Sequence, residues 1–538
     1  MTTAVDDILF TLAAVCAPFP HEPWAAGGAA DALRAFAEFT EDAVAPTNAV
    51  SDRTGCSLAG GRVSMPAPLV DLYAKYVELG WHKLALPEEH GGIGAPEPVV
   101  AAATELLCAA NHAFQIVVGL VPGSARAIVA SATGEQAARL LADYVSGEAL
   151  ATMCLTEAGA GSDLSAIRTT ARADGNGKWR ISGEKIFITG GDQNLSNRIL
   201  HLVLARTGTP QEGTRGLSLF ACSSHLPDGS RNAVKVLRNE EKLGIHAAPT
   251  CQLAFEGAEA EIVGAPGEGL KAMFVMMNHA RLEVAMQGVA HAGEAHRRAA
   301  AYAATRTQGG RAIADHGDVR AMLLEMDALA LGSRAMALHA AETLDTNPAF
   351  VEFATPVVKA FCTDAGSRAA DLGIQVLGGY GYLPEYGLEQ IWRDCRITRL
   401  YEGTNGIMAM TLARRLLGGA DGAYVGAFIE EMGRIARDAA GEGAVTFGEV
   451  LGAWEEARDA VLGAEDPGIA ATPFLRLTGL LYFAAMWLRL EAAANRAADP
   501  DRIRATAQYV RAAMLPQCQT LAETCIRLLN PRTDGRLA

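Results

Sequence analysis

One glutamate stands in a setting that suits a general base. Glu402 lies in the run Leu400-Tyr401-Glu402-Gly403-Thr404-Asn405-Gly406. Its two preceding neighbours are apolar, and the glycine after it frees the backbone. A carboxylate in an apolar pocket is desolvated, which raises its pKa and makes it a stronger base. A structural alternative is equally open at this point, because acids are favoured near a helix start, where Thr404 or Asn405 would be the N-cap.

Two further segments have residue types that suit contact with a flat or charged ligand. In Thr156-Glu157-Ala158-Gly159-Ala160-Gly161-Ser162-Asp163, small residues let the backbone approach a ligand, and successive N–H groups can bind an anion. In Lys185-Ile186-Phe187-Ile188-Thr189-Gly190-Gly191, Phe187 could stack on an aromatic ring and Thr189 could hydrogen-bond its edge. Taken singly, these segments are also explained as a turn and a half-buried strand. The first is not the dinucleotide fingerprint G-x-G-x-x-G.

Basic residues and glycines near predicted helix ends are candidates for phosphate contacts. Arg281 lies on an otherwise apolar helix face, where it either extends to the surface or pairs with a buried carboxylate. Arg306, two residues before Gln308, closes a long predicted helix and either complements the helix dipole or holds a pyrophosphate. The run Gln375-Val376-Leu377-Gly378-Gly379 ends another helix, which a glycine C-cap explains without any function.

The elements that must position these residues change along the chain from helices to strands and back. Residues 1–150 have helical patterns at 30–43, 66–79, 96–120 and 134–145. Residues 151–265 have short β-prone runs at 167–173, 179–181, 199–205, 216–221, 233–236 and 252–255, separated by turn residues. That spacing is typical of an antiparallel barrel or sandwich.

From residue 266 the patterns are helical again. Long amphipathic helices are predicted at 270–305, 316–344 and 352–377, followed by a shorter one at 407–417. Residues 420–538 add helical stretches at 423–440, 446–462, 473–498 and 502–529. The order predicts an α+β fold with an N-terminal helical domain (1–150), a middle β-barrel (151–265), a C-terminal helical bundle (266–419) and an appended helical domain (420–538).

Composition argues against several classes of protein. Half of the 538 residues are hydrophobic and a fifth are charged, as in globular proteins. The net charge of -15 disfavours nucleic-acid binding. The ten cysteines form no C-x-x-C pair and the histidines no H-E-x-x-H, so we expect free thiols and no metal site. No basic leader and no long uninterrupted apolar window is present, which predicts a cytoplasmic protein without integral membrane association.

Taken together and in this order, segments over residues 60–417 resemble the acyl-CoA dehydrogenase family. They are Pro87-Glu88-Glu89-His90-Gly91-Gly92-Ile93-Gly94, Cys154 to Asp163, Phe187-Ile188-Thr189, Ala280-Arg281-Leu282, Gln375 to Gly379, Arg393-Asp394 and Tyr401-Glu402-Gly403-Thr404. Within the family, the chain resembles the branch of 3-methylmercaptopropionyl-CoA dehydrogenases and broad-range acyl-CoA dehydrogenases. The features behind this are Gly244-Ile245-His246, the runs 272–278, 316–324 and 402–407, and the appended helical domain.

The resemblance implies which residues meet an FAD cofactor lying between barrel and bundle: Leu155, Thr156, Phe187, Thr189, Arg306, Gln308, Gln375, Gly378, Gly379, Thr404 and Gly406. Five of these would reach the ADP part of an FAD in the neighbouring subunit, so the active unit would be at least a homodimer: Arg306, Gln308, Gln375, Gly378 and Gly379. The substrate would meet Ser162, Asn278, Arg281 and Gly403, with Arg281 close to Glu402.

The resemblance also implies the reaction, which is α,β-dehydrogenation of an acyl-CoA thioester to a trans-2-enoyl-CoA. Glu402 would remove the α-proton while FAD N5 takes the β-hydride. The ribityl hydroxyl of FAD and the backbone N–H of Glu402 would bind the thioester carbonyl and stabilise the developing enolate charge. An electron-transferring flavoprotein would then accept the electrons.

Three positions depart from the family pattern, and two other functions stay open. Ala158 replaces a usual proline, Gly309 a usual aromatic residue and Gly317 a usual glutamine. The last two put the cofactor contacts of the partner subunit in question. One alternative function is a flavin oxidase that uses oxygen as acceptor, which an intact Glu402 permits. The other is a non-catalytic protein that retains the flavin fold. Nothing in these motifs identifies the acyl chain.

Overall fold

A computed structural model describes residues 4–25, 27–175, 177–437 and 439–530. Its first part is mainly helical: α1 Ala4–Val15, α2 Gly28–Phe39, α3 Ala45–Thr54, the hairpin β1 Ser57–Ala59 and β2 Arg62–Ser64, α4 Ala67–Glu78, α5 Glu97–Ala110, α6 His112–Val118, α7 Leu120–Ser131 and α8 Gly134–Val145. Seven strands follow: β3 Ala149–Cys154, β4 Thr170–Ala173, β5 Trp179–Thr189, β6 Arg198–Arg206, β7 Leu217–Ser223, β8 Val234–Asn239 and β9 Thr250–Val263.

The remainder is helical apart from one small hairpin. It comprises α9 Gly269–Thr305, the hairpin β10 Thr307–Gln308 and β11 Arg311–Ala312, α10 Gly317–Glu342, α11 Pro348–Leu377, α12 Leu388–Cys395 and α13 Asn405–Met410. The appended helices are α14 Ala423–Ala436, α15 Gly441–Gly463, α16 Ala471–Ala492, α17 Pro500–Tyr509 and α18 Gln517–Leu529. The predicted order of helices, sheet and helices is therefore confirmed.

Two predicted helices are each divided in the structure. The stretch 96–120 breaks at Asn111, whose side chain accepts a hydrogen bond from the Phe114 N–H at 3.1 Å and caps α6. Asparagine competes for backbone donors in this way, which the uninterrupted apolar pattern concealed. The stretch 502–529 divides into α17 and α18, with Pro516 directly before α18. Proline cannot donate the hydrogen bond that a continuous helix would need there.

The described chain forms two compact units. One is helical and contains the described residues up to 37, residues 97–109 and the described residues from 281 onward. The other is strand-rich and contains residues 38–96 and the described part of 110–280. The four predicted domain boundaries stay a prediction.

Five strands of the strand-rich unit close into a barrel. The pairing runs β6-β4-β5-β9-β7 and returns from β7 to β6, while β3 pairs with β6 and β8 with β9. The sequence predicted an antiparallel sheet, and that is wrong for two pairings of β6. It pairs in parallel with β3 over six residues and with β4 at Thr170 and Arg206. The segment 149–154 is almost wholly buried and does not alternate, as is usual for parallel strands, so its pattern gave no strand signal.

Glycines allow two helices of the helical unit to make backbone contact. Helices α9 and α11 cross where Gly288 meets Gly366. A side chain at Gly288 would collide with the Cys362 carbonyl, and a Cβ at Gly366 would lie 2.6 Å from the Gly288 carbonyl oxygen. The two backbones can therefore touch only because both residues lack a side chain.

The appended helices share the core of the helical unit. His339 of α10 is fully buried, with Nδ1 2.6 Å from the Tyr482 hydroxyl of α16 and Nε2 2.8 Å from Oε1 of Glu431 on α14. A buried polar group needs such partners, so this network specifies how α14 and α16 pack on α10.

Two segments, His112–Ser131 and Pro467–Ala492, are long and apolar enough to span a membrane. Their most apolar windows are 67% and 78% buried inside the protein. Burial of this kind is what core helices show, so the two segments are weak evidence for a membrane span.

Candidate active site

The glycine crossing brings two cations of different helices together. Arg281 in α9 and Lys359 in α11 each precede their crossing glycine by seven residues, which is about two helical turns. Arg281 is 8% exposed and Lys359 is fully buried. Two positive charges in such a place require acceptors or an anion nearby.

The turn that precedes α13 supplies this anion, which is the carboxylate of Glu402, together with backbone acceptors. Arg281 donates from Nε to the backbone carbonyl of Glu402 at 3.2 Å, and the Tyr401 hydroxyl donates to Oε1 of Gln287 on α9. Thr404 is the N-cap of α13, with its hydroxyl accepting from the Ile407 N–H at 3.1 Å. The predicted N-cap and the predicted proximity of Arg281 to Glu402 are thus confirmed.

Helix α11 holds the other side of this turn. Lys359 donates from Nζ to the Gly403 carbonyl at 2.9 Å and to Oδ1 of Asn405 at 3.0 Å. The Asn405 amide donates in turn to Thr363 and Asp364, each at 3.1 Å. The turn is therefore bound to two helices that are distant from it in sequence.

The carboxylate of Glu402 lies in surroundings that raise its pKa. Its Oε2 is inaccessible and has no hydrogen-bond partner within the described residues, although the residue as a whole is half-buried. Burial raises the pKa of Glu402 to about 7, against the opposing charges of Arg281 and Lys359. An unpartnered buried carboxylate costs free energy, and a ligand that uses it offsets that cost.

The backbone at Glu402 also departs from the usual conformation. Glu402 has φ 54° and Gly403 has φ 88°. A Cβ at Gly403 would lie 2.7 Å from Cε of Met408. The positive φ at position 403 favours glycine, and a non-glycine residue at positive φ, such as Glu402, persists only where its surroundings hold it.

In the strand-rich unit, two of the predicted segments are adjacent. The Ile186 N–H donates to the Thr156 carbonyl at 2.9 Å, and Lys185 donates from Nζ to the Leu155 carbonyl at 2.9 Å. Lys185 also pairs with Glu157 at 2.8 Å, and both residues are buried. Glu157 additionally accepts from the backbone N–H groups of Arg168 and Thr169, at 2.8 and 3.0 Å.

Phe187 is presented to solvent by an irregularity of the sheet. The register of β5 against β9 shifts between Lys185 and Ile188, and Phe187 has φ 60°. Its side chain is 62% exposed, which is unusual for phenylalanine. Bulges of this kind re-aim a side chain, so the ring is available to a flat ligand. Thr189 is the last residue of β5 and is half-buried.

The other predicted residues lie mainly on exposed backbone. Ser162 is exposed in the strand-rich unit, Asn278 is half-buried in α9, and Gly406 is exposed in α13. Gly378 caps α11 with φ 60°, as the glycine cluster predicted. Arg306 follows α9, with its guanidinium 5.5 Å from the Tyr380 ring centre. The exposed residues near Arg306 or Tyr380 in sequence are Gln308, Gln375, Gly378 and Gly379, and Tyr380 itself is exposed.

Sequence reasoning did not single out Lys359 or the Lys185–Glu157 pair. Lys359 follows Val357-Val358 and precedes Ala360-Phe361-Cys362. A lone lysine on such an apolar helix face is rarely buried without a specific partner, which is the signal that could have found it. Nothing in the local sequence names that partner.

Comparison with known proteins places these residues in a family. The chain matches the family models described as acyl-CoA dehydrogenase N-terminal domain (30–148), middle domain (152–258) and C-terminal domain (267–417). Residues 424–528 match a fourth, acetyl-CoA dehydrogenase C-terminal like. The appended helices are thus part of a recognised domain set.

Individual relatives agree with these matches. A 3-methylmercaptopropionyl-CoA dehydrogenase of Ruegeria pomeroyi is 38% identical over 84% of this chain and 83% of the relative. The broad-specificity linear acyl-CoA dehydrogenase FadE5 of Mycobacterium tuberculosis is 36% identical over 62% and 60%. The fold resembles that of an acyl-CoA dehydrogenase from Bacillus anthracis solved with FAD, at 20% identity and TM-score 0.79, over 96% and 91%. The chain therefore belongs to the acyl-CoA dehydrogenases, the FAD-dependent enzymes that dehydrogenate acyl-CoA thioesters.

Proposed function

We propose that this enzyme converts an acyl-CoA to a trans-2-enoyl-CoA, with Glu402 as the base that removes the α-proton. The observation that carries the proposal is the buried, unpartnered Oε2 of Glu402, whose pKa burial raises to about 7. A base that is to work near neutral pH is most effective with a pKa in this range.

The residues present suit an FAD cofactor. Phe187 offers an exposed ring next to the segment of Leu155 and Thr156, where a flat ring system can stack. We propose that Thr189, Thr404 and Gly406 also contact the cofactor. FAD, when bound, supplies the chemistry of accepting a hydride from the β-carbon.

The chain itself orients the substrate and handles the proton. The backbone N–H of Glu402 would donate a hydrogen bond to the thioester carbonyl oxygen. Because this donor is fixed, it stabilises the negative charge that develops on that oxygen in the enolate, which lowers the barrier to α-proton removal. Arg281 stabilises the ionised form of Glu402 through its charge and fixes the turn through the Glu402 carbonyl. We propose that Ser162, Asn278 and Gly403 contact the acyl-CoA.

The replacement Glu402→Gln tests the base directly. The variant should retain FAD, because the amide is nearly isosteric, while its rate of anaerobic flavin reduction by acyl-CoA should fall by about 10² to 10⁴. Glu523→Gln, on an exposed face of α18, is the matched control and should leave the rate unchanged. Near-normal reduction in Glu402→Gln would contradict the assignment.

We propose further that an electron-transferring flavoprotein reoxidises the enzyme, and that the enzyme is a cytoplasmic homo-oligomer. Measuring reoxidation with oxygen and with such a flavoprotein separates the dehydrogenase from an oxidase. A panel of short, long, branched and sulfur-containing acyl-CoAs, including the substrate in the name of the Ruegeria relative, identifies the acyl group.

A further inference from the structure

Resting on the role proposed for Glu402, we propose that Lys359 positions this base by anchoring the turn that carries it, without touching the substrate. Lys359 is fully buried in α11. Its ammonium donates to two acceptors that directly follow the base, the Gly403 carbonyl at 2.9 Å and Oδ1 of Asn405 at 3.0 Å. One side chain thus bridges the two ends of the segment that leads from the base into α13.

The anchoring matters because the turn is strained. Positive φ at Glu402 is a strained conformation for a residue other than glycine and requires surroundings that hold it. Arg281 fixes the Glu402 carbonyl from α9, and Lys359 fixes the next carbonyl from α11. With the second anchor removed, the turn can relax toward ordinary dihedral angles and carry the carboxylate away from the α-proton.

Charge gives Lys359 a second effect on the same group. Its ammonium opposes the rise in the pKa of Glu402, and burial lowers the pKa of Lys359 to about 7 although Glu402 opposes this. Removing the ammonium therefore leaves a carboxyl that ionises at higher pH. The other charged groups facing the pair are Arg281 on α9, Asp364 on α11 and Arg399 before the turn, with Arg415 and Glu352 beside Arg281.

The experiment is Lys359→Met, a replacement of similar length without charge, measured by anaerobic flavin reduction across neutral pH. We expect a reduction rate about 100-fold lower, as for a displaced base. The midpoint of the pH profile should rise by about 1 unit. Bound FAD and acyl-CoA affinity should remain close to those of the unmodified enzyme, because the Lys359 side chain is fully buried and its ammonium binds the turn. Lys75→Met, on an exposed position of α4, is the control.

An unchanged rate and midpoint in Lys359→Met would overturn the proposal. Should that variant lose FAD, Asn405→Ala decides the question, because it removes one anchor and keeps the charge. It should lower the rate without moving the midpoint, and a normal rate would overturn the proposal as well. The base role of Glu402 and the positioning role of Lys359 are contradicted by different results. If no acyl-CoA reduces the unmodified enzyme, the base role itself fails. If Glu402→Gln alone is inactive, only the role of Lys359 fails.

Discussion

At the scale of single residues, the surroundings of Glu402 support its proposed role as the base more than its residue type does. Glu402 has an inaccessible, unpartnered Oε2, and the cations near it act on the backbone of its turn. Arg281 and Lys359 oppose the effect of burial on its pKa without neutralising the carboxylate by a direct ion pair in the described structure. The carboxylate of Glu402 can therefore accept a proton.

The raised pKa predicts how activity depends on pH. Below about 7 the carboxyl of Glu402 is protonated and cannot act as a base, and above it the carboxylate predominates. The kcat/KM of the free enzyme should therefore fall about tenfold per pH unit below this value and level off above it. Steady-state kinetics over the pH range checks this. A profile that is flat down to the ordinary pKa of a glutamate would contradict it.

At the scale of elements, a buried ion pair joins the two segments of the barrel that we propose contact the cofactor. Lys185 on β5 binds the Leu155 carbonyl and the Glu157 carboxylate, so it fixes the loop after β3 against the strand that carries Phe187. The same barrel has an exposed counterpart, the pair of Lys178 with Glu259. Burial distinguishes the two pairs, and their contributions to stability should differ accordingly.

Replacing each lysine by methionine measures that difference. Lys185→Met leaves the Glu157 charge buried and should lower the free energy of unfolding by about 3–5 kcal/mol. Lys178→Met should cost less than about 1 kcal/mol, because its side chain is 48% exposed. Urea titration followed by near-UV circular dichroism gives both values, and FAD content should drop only in the first variant. Equal stabilities would show that the buried pair does not hold the loop.

At the scale of the whole molecule, the proposed oligomer concerns an exposed surface of the helical unit. Arg306 lies over Tyr380, and Tyr382 nearby in sequence is 80% exposed. Exposed aromatic residues beside glycines and a cation are typical of contact surfaces. From the family resemblance, we propose that this region contacts the cofactor of a neighbouring subunit.

Arg306→Ala tests that assignment. If the guanidinium holds the ADP part of an FAD, its loss should weaken FAD retention by about 10- to 100-fold, as for a charge-assisted hydrogen bond. FAD content after gel filtration and the elution volume measure the cofactor and the oligomer together. Arg527→Ala, 80% exposed on α18, is the control. Unchanged FAD content in Arg306→Ala would refute the cofactor contact.

The sequence by itself determined the order of helices and strands, the family, and the identity of the glutamate in its glycine-containing turn. These follow from local information, because periodicity, caps and short motifs are read within a few residues. The Thr404 N-cap and the Gly378 helix end were predicted correctly for this reason. The break at Asn111 and the parallel pairing of β3 were missed because their signals depend on competing partners.

Only the tertiary structure decided what surrounds the base. Lys359, Arg281 and Glu402 are far apart in sequence, and they meet because α9 and α11 cross at two glycines. Periodicity shows which face of each helix is buried, but it does not show which helices touch or at which position along their axes. That position is set by the backbone contact at Gly288 and Gly366, and it places the two cations at the turn that contains Glu402. The motif pointed to the proposed base, and the packing determined its pKa and the contacts that fix its turn.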